Sequence, residues 1–114
     1  MIDKDLFSGM VRLHVLHHAN EGSVFGLAII EELRRHGYEI SAGTMYPILH
    51  GLERKGYLVS RSELSEGRKR RVYRITPQGS RALEASRAKV RELFGELIEG
   101  HHPRGKGASR ARAQ

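Results

Sequence analysis

The chain of 114 residues contains no cysteine and no tryptophan, and aromatic residues make up only 6% of it. Without cysteine, a disulfide framework, a zinc ribbon and a thiol nucleophile are excluded, and nothing favours an oxidising compartment. Long apolar runs are also missing. The longest, residues 24–30, is far too short to cross a bilayer, and the first residues lack a signal-peptide pattern. We therefore expect a cytoplasmic protein with no membrane partner.

Motifs of the common enzyme classes are missing as well. The sequence has no glycine-rich phosphate loop, no nucleophile elbow and no paired carboxylates at a recognisable spacing. The chain is therefore predicted not to be an enzyme and to need no cofactor.

Positive charge is in excess and unevenly placed, with 20 basic residues against 13 acidic ones and a net charge of +7. The segment after Gly100 is basic and has no apolar period, so residues 100–114 are predicted to be a disordered tail. Clustering of the remaining cations over residues 61–74 suggests a polyanionic partner. The clustered residues are Arg61, Arg68, Lys69, Arg70, Arg71 and Arg74.

Apolar residues recur at helical spacing in four segments, each bounded by capping or terminating residues. The first predicted helix covers about residues 4–19, and the second covers residues 24–36, with Ser23 as its cap and Gly37 as its terminator. The third follows its cap, Ser41, and runs to Lys55, with Gly56 as its terminator. The fourth runs from Pro77 to about Ile98, with Thr76 as its cap.

The third predicted helix has a slim, polar outer face. Its apolar stripe consists of Met45, Ile48, Leu49 and Leu52, which leaves Gly43, Pro47, His50 and Arg54 on the opposite side. A large partner can approach such a face closely, and DNA in its major groove fits that description. Pro47 inside the helix favours a local bend, and the alternative is a helix that begins later, near Thr44, with Pro47 in its first turn.

From Tyr57 the apolar period changes to two, which predicts two strands, the second ending at Ile75. The polar residues 63–69 are predicted to connect them as an exposed, cationic hairpin tip. The fold class that follows is mainly α with a small β-hairpin. Residues 1–76 are assigned to a winged helix-turn-helix, and residues 77–99 to a C-terminal dimerisation helix.

The last helix carries apolar residues close to a seven-residue repeat, more than a small domain can cover by itself. We therefore expect a homodimer in which the first and last helices of two subunits pair. The predicted contact residues are Leu6, Met10, Leu13, Leu83, Val90, Leu93, Phe94 and Leu97.

Four segments, residues 21–26, 41–49, 52–58 and 73–79, together resemble the PadR family of bacterial transcriptional regulators. The most specific part is Gly43-Thr44-Met45-Tyr46-Pro47, followed by a basic wing and Thr76-Pro77-Gln78-Gly79. The resemblance implies a homodimer that binds pseudo-palindromic operator DNA and usually represses transcription. Small aromatic or drug-like ligands release some members of the family from their operator DNA. A single C-terminal helix is typical of the short subfamily, whereas Phe25-Gly26-Leu27 departs from the family's common His-Gly-Tyr.

On this interpretation double-stranded DNA is the partner, with the third helix in the major groove and the wing on phosphates or the adjacent minor groove. A solvated charge run on a hairpin is the alternative for the wing. The predicted DNA-binding residues are Ser41, Gly43, Thr44, Tyr46, Pro47, His50 and Arg54 on the helix, and Arg68, Lys69, Arg70 and Arg71 on the wing.

Two other functions compete with operator binding. His14 and His18 are four residues apart on the first helix, a spacing that can hold a transition metal, so a metal-responsive regulator is one alternative. The other is a winged-helix interaction module that binds protein or RNA, because a fold by itself does not fix a function.

Overall fold

The structure, a computed structural model, describes residues 3–100. The elements follow the predicted order, with one additional short strand. They are α1 (Lys4–Glu21), β1 (Val24–Phe25), α2 (Gly26–Arg35), α3 (Ala42–Arg54), β2 (Leu58–Ser65), β3 (Arg68–Ile75) and α4 (Pro77–Leu97). None of the helices in this part of the chain combines the length and the apolar character that a bilayer crossing requires.

The hairpin strands are longer than predicted, and the turn between them is shorter. The antiparallel pairing of β2 with β3 runs from Leu58↔Ile75 to Ser65↔Arg68, so the turn contains only Glu66 and Gly67. Both turn residues have positive φ, 52° and 76°, as a two-residue hairpin turn requires. The prediction of a loop over residues 63–69 was wrong, because the ladder continues through Glu63–Ser65 and Arg68–Lys69, and the two turn residues close it with no further loop.

A two-residue strand, β1, precedes the second helix and was not predicted. Val24 and Phe25 pair with Tyr73 and Val72, which makes a three-stranded sheet in the order β1-β3-β2. The helix therefore begins at Gly26, and the predicted start at Val24 with Ser23 as its cap was wrong. Pairing with β3 holds residues 24 and 25 in an extended conformation, which excludes them from the helix.

The core lies where α1, α2 and α3 meet the sheet. Its fully buried members include Val15 of α1, Leu33 of α2, Met45 and Leu49 of α3, and Tyr73 of β3. Burial of each such side chain stabilises the fold by about 1.5–3 kcal/mol. The apolar stripe predicted for the third helix is thus confirmed as its packed face.

Glycine terminates α2 and α3 as predicted. Gly37 and Gly56 have φ of 89° and 83°, the left-handed conformation that a side chain disfavours. After each glycine the chain closes the helix with a backbone hydrogen bond, from Tyr38 N to Leu33 O and from Tyr57 N to Leu52 O.

The chain divides into two compact units, the first ending at Leu83 and the second beginning at Glu84. The first therefore extends beyond residue 76, the boundary expected from sequence, and Leu83 is buried in its core. Consequently the Leu83 side chain contributes to this chain's own fold, although sequence placed it among the dimer contacts. In the second unit Val90, Leu93, Phe94 and Leu97 are exposed. Of the predicted tail, residues 101–114 lie outside the described residues.

The start of α4 is fixed by a small hydrogen-bond network. Thr76 Oγ1 accepts from Gly79 N at 2.9 Å, which confirms the predicted cap, and donates to the Gly56 carbonyl at 2.5 Å. A Cβ atom added to Gly79 would lie 2.2 Å from the Tyr57 carbonyl oxygen. The helix can therefore approach the end of α3 this closely only with glycine at residue 79.

We predict that Gly79→Ala lowers the free energy of unfolding by about 1–3 kcal/mol, because the new methyl group forces backbone to move apart. The matched control is Gly9→Ala in α1, where an added Cβ meets nothing within 4 Å. That change should be neutral or stabilise the protein by up to about 1 kcal/mol. Urea unfolding at one fixed protein concentration measures both, and equal stabilities for the two variants would contradict the packing described here.

Candidate nucleic-acid interface

Helix α3 presents a slim, polar ridge to solvent. Ser41 caps it by accepting a hydrogen bond from Thr44 N at 3.3 Å. Gly43 lies in open space, where an added Cβ would meet only Ser41 Oγ, at 3.7 Å. The first amides of a helix have no partner within it, so this end also suits an anionic group. The exposed residues of the ridge are Ser41, Gly43, Thr44, Pro47, His50 and Arg54.

Pro47 lies in the interior of α3, because the helix begins at Ala42. The later start near Thr44 was therefore the wrong alternative. Proline has no amide hydrogen, so the carbonyl of Gly43, four residues earlier, lacks its usual helical donor. The helix therefore lacks one backbone hydrogen bond on the side of the ridge.

Tyr46 occupies a different environment from the rest of the predicted contact residues on α3. Its side chain is half-buried and packs against the core. A Cβ atom on Gly26 would lie 2.6 Å from the Tyr46 hydroxyl, so the ring covers the first residue of α2. The Tyr46 ring also lies 6.5 Å from the His50 ring, centroid to centroid. Tyr46 thus links α3 to α2 at the edge of the ridge.

The cations of the wing, which comprises β2, β3 and their turn, fall into two groups. Arg68, Lys69 and Arg74 are exposed and have no ion-pair partner among the described residues. Arg61 is paired with Glu63 at 2.6 Å, and the Arg70 guanidinium lies 5.3 Å from the centre of the Phe25 ring. Such a cation–π contact contributes about 0.5–1 kcal/mol at an exposed site. Arg70 therefore ties the wing to β1 as well as adding positive charge.

A chain of hydrogen bonds connects α3 to the wing. The Glu53 carboxylate accepts from Ser60 N at 3.1 Å and from Ser60 Oγ at 2.8 Å. Ser60 Oγ in turn accepts from Arg71 Nη1 at 2.9 Å. These charge-assisted bonds join the last turn of α3 to β2 and β3. The ridge and the wing are thereby held in one arrangement.

Tyr73 lies beside this chain of hydrogen bonds, opposite Ser60 in the strand ladder. Burial raises the pKa of the Tyr73 hydroxyl, and the negative charge of Glu53 raises it further. The tyrosine is therefore neutral at physiological pH and serves as a packed core residue.

Sequence patterns did not identify Glu53 and Ser60, although one signal was present. Glu53 is the only acidic residue between Glu39 and Glu63, a stretch that includes all of α3. An isolated, half-buried carboxylate needs a local basic or hydrogen-bonding partner. The partner itself depends on the strand register, which sequence alone left open.

We predict that Ser60→Ala destabilises the fold by about 1–3 kcal/mol, because it removes the hydroxyl that donates to the half-buried Glu53 carboxylate and accepts from Arg71, and leaves only the backbone donor of residue 60. Ser62→Ala, two residues along the same strand at an exposed position, should change stability by less than about 0.5 kcal/mol. Chemical denaturation measures both variants. A Ser60→Ala protein as stable as the Ser62→Ala protein would show that the link contributes nothing.

Comparison with known proteins agrees with this architecture. The model of the PadR-like family of transcriptional regulators matches residues 15–85. A transcriptional regulator of Mycobacterium tuberculosis, Rv3488, is 50% identical over 98 residues, which are 85% of this chain and 92% of that protein. The match includes α2, α3 and the whole wing.

Solved structures give the same result. A PadR family regulator from Eggerthella lenta is 32% identical, with a TM-score of 0.71 over 85% of this chain and 88% of that one. A transcriptional regulator from Clostridium thermocellum is 30% identical, with a TM-score of 0.70 over 83% and 95%. The predicted fold class is confirmed. Regulators of this family bind DNA and are not enzymes, which confirms the expectation of no enzymatic activity. With the family model covering most of the folded part, the chain belongs to the PadR-like family of transcriptional regulators.

Proposed function

We propose that this regulator binds double-stranded DNA as a cytoplasmic homodimer and represses transcription from a pseudo-palindromic operator. One observation carries the proposal: the slim ridge of α3 and the exposed cations of the wing belong to one compact unit, in which Glu53, Ser60 and Arg71 connect them. The ridge has the width and polarity for a major groove, and the wing has the charge for the flanking backbone.

Within this proposal the residues divide by task. Gly43 permits close approach, while Thr44 and His50 donate hydrogen bonds to base edges or phosphates, and Arg54 extends from the far end of the ridge. Arg68 and Lys69 contact phosphates, since both are exposed at the start of β3. The remaining three stabilise the surface: Tyr46 packs on Gly26, Arg70 on Phe25, and Arg71 donates to Ser60. They also add a hydroxyl group and two positive charges at the edge of the surface.

Exposed apolar side chains support the dimer. On α1, Leu6 is 72% exposed and Met10 is also exposed, while Leu13 is half-buried. On the second unit, Leu93 and Leu97 lie one helical turn apart with Val90 and Phe94 beside them, all exposed. Apolar stripes on helices of a small protein favour burial against a second copy. Twofold symmetry would then present two ridges to successive major grooves.

Release by a small aromatic ligand remains a prediction from the family resemblance. A shallow groove of about 290 Å³ lies between α1 and α2, lined among others by His18, Glu21, Val24 and Glu32. None of its lining residues is phenylalanine, tyrosine or tryptophan. The only aromatic ring in this lining is the imidazole of His18.

The direct test is binding of the purified protein to the DNA upstream of its own gene, against random DNA of equal length, by fluorescence anisotropy. We expect tighter binding to the upstream DNA, and the log-log slope of affinity against salt should be near roughly −5 if about six phosphates are neutralised per dimer. Equal binding to both DNAs, or an affinity independent of salt, would contradict the proposal. Preference for an RNA of the same sequence would favour an interaction module instead.

A second prediction concerns the contribution of the wing to DNA affinity. Arg68→Ala combined with Lys69→Ala should weaken binding to every DNA alike, and should flatten the salt slope by about 1 for each lost contact. The control replaces Arg81 and Arg91, two exposed cations of α4, which removes the same charge from outside the wing. If both double variants lose affinity equally, net charge rather than the wing accounts for binding.

The dimer is tested by Leu93→Glu, which places a charge in the proposed contact and should yield monomers, because an unpaired charge in an apolar interface is strongly unfavourable. Leu64→Glu is the matched control, because Leu64 is an equally apolar side chain, 75% exposed, on the wing. Light scattering after size-exclusion chromatography measures the mass of each. An intact Leu93→Glu dimer would contradict the assignment of this face.

A further inference from the structure

Three histidine side chains from two helices come together on the first compact unit. His14 and His18 lie on successive turns of α1, and His36 follows the last residue of α2. One ring nitrogen from each lies within 4.8 Å of those of the other two. The ring centroids of His14 and His36 are 5.2 Å apart, and those of His14 and His18 are 6.0 Å apart.

His14 is the member of the cluster that the other histidines surround. Burial lowers the pKa of His14, and the neighbouring His36, His18 and His17 lower it further, against an opposite effect of Glu32. Imidazole coordinates metals in its neutral form.

His18 gives independent evidence for a missing partner. Its Nε2 is buried and makes no hydrogen bond to any described residue. Its other nitrogen, Nδ1, lies 3.6 Å from Glu21 Oε1. That separation is too long for a hydrogen bond, but a carboxylate near the second ring nitrogen is also found behind histidine ligands in metal sites. The Nε2 atom, which has no partner among the described residues, is available to coordinate an ion.

We propose that His14, His18 and His36 bind a divalent transition-metal ion of the zinc class. Three imidazoles suit Zn²⁺, and the usual Zn–N distance of about 2.0–2.1 Å is reached from nitrogens this close by small side-chain rotations. Glu32 lies beside one of the three ligands, with Oε2 3.4 Å from His36 Nε2. Helical spacing alone identified His14 and His18. The third ligand, His36, comes from the packing of α2 against α1.

A metal held here would affect α3. Because His36 ends α2 and the short link of residues 37–41 leads directly into α3, an ion that fixes His36 to α1 also fixes the start of the ridge. Metal binding should therefore change the affinity for DNA. This effect on DNA binding, unlike the metal site itself, rests on the proposed function.

The first experiment needs no DNA. Full-length, untagged protein with His101→Ala and His102→Ala, which removes the two histidines of the C-terminal segment, is stripped with chelator and titrated with ZnCl₂ by calorimetry. Co²⁺ absorption reports the coordination geometry. We expect one ion per chain, a higher melting temperature with zinc, and a spectrum of tetrahedral type.

His36→Ala is the decisive variant, because this side chain is about half exposed and its loss should leave the fold intact, as the melting curve without metal will verify. Zinc affinity should fall by at least the roughly 10- to 100-fold that loss of an outer-shell partner costs. His50→Ala and His17→Ala are the controls and should retain zinc binding. Loss of binding in His17→Ala but not in His36→Ala would assign the ion to His17, His18 and Glu21 and overturn the proposal, as would no zinc binding at all.

The coupling to DNA is then measured with and without zinc in the parent protein and in its His36→Ala variant. A zinc-dependent change in affinity that disappears in His36→Ala supports it. Unchanged affinity in a protein that demonstrably holds zinc overturns the coupling. Failure to bind DNA in either state refutes the proposed function and leaves the metal site standing on the calorimetry.

Discussion

The interaction on which the functional account depends is the link from Glu53 through Ser60 to Arg71. It joins the end of α3 to both strands of the wing with bonds of 2.8–3.1 Å. A ridge and a wing that moved independently would have to be ordered on each encounter with DNA, which costs conformational entropy. Held together, they form a preorganised surface in which the Glu53 carboxylate finds its hydrogen-bond donors within the protein.

Contacts within the protein also occupy part of the positive charge of the wing. Two of its cations have structural tasks, because Arg70 covers Phe25 and Arg71 donates to Ser60. Arg68, Lys69 and Arg74 remain free of ion pairs in the described chain, and Arg68 and Lys69 are the two that we propose for phosphate contacts. Phe25 thereby gains a role in this chain as the support for Arg70. An arginine count from sequence therefore overstates how many cations the wing can offer to DNA.

Sequence predicted the helices well because their signals are local. The 3.6-residue stripe of α3, the terminators Gly37 and Gly56, and the Thr76 cap all depend on neighbours within a few residues. The features that sequence analysis did not predict depend on partners far away along the chain. Strand β1 exists only because β3 pairs with it, Tyr46 turns toward Gly26 because α2 packs there, and His36 reaches His14 only across two helices. The hairpin turn was misplaced because polar composition masked an extended ladder.

The most direct test of the central claim is an NMR titration of the isotope-labelled protein with the DNA upstream of its gene. The account predicts that the amide signals of Ala42–Thr44 and of Arg68–Lys69 shift together, with one midpoint and in fixed proportion, because a single rigid surface meets the DNA. Shifts confined to one of the two segments, or two separate midpoints, would contradict it.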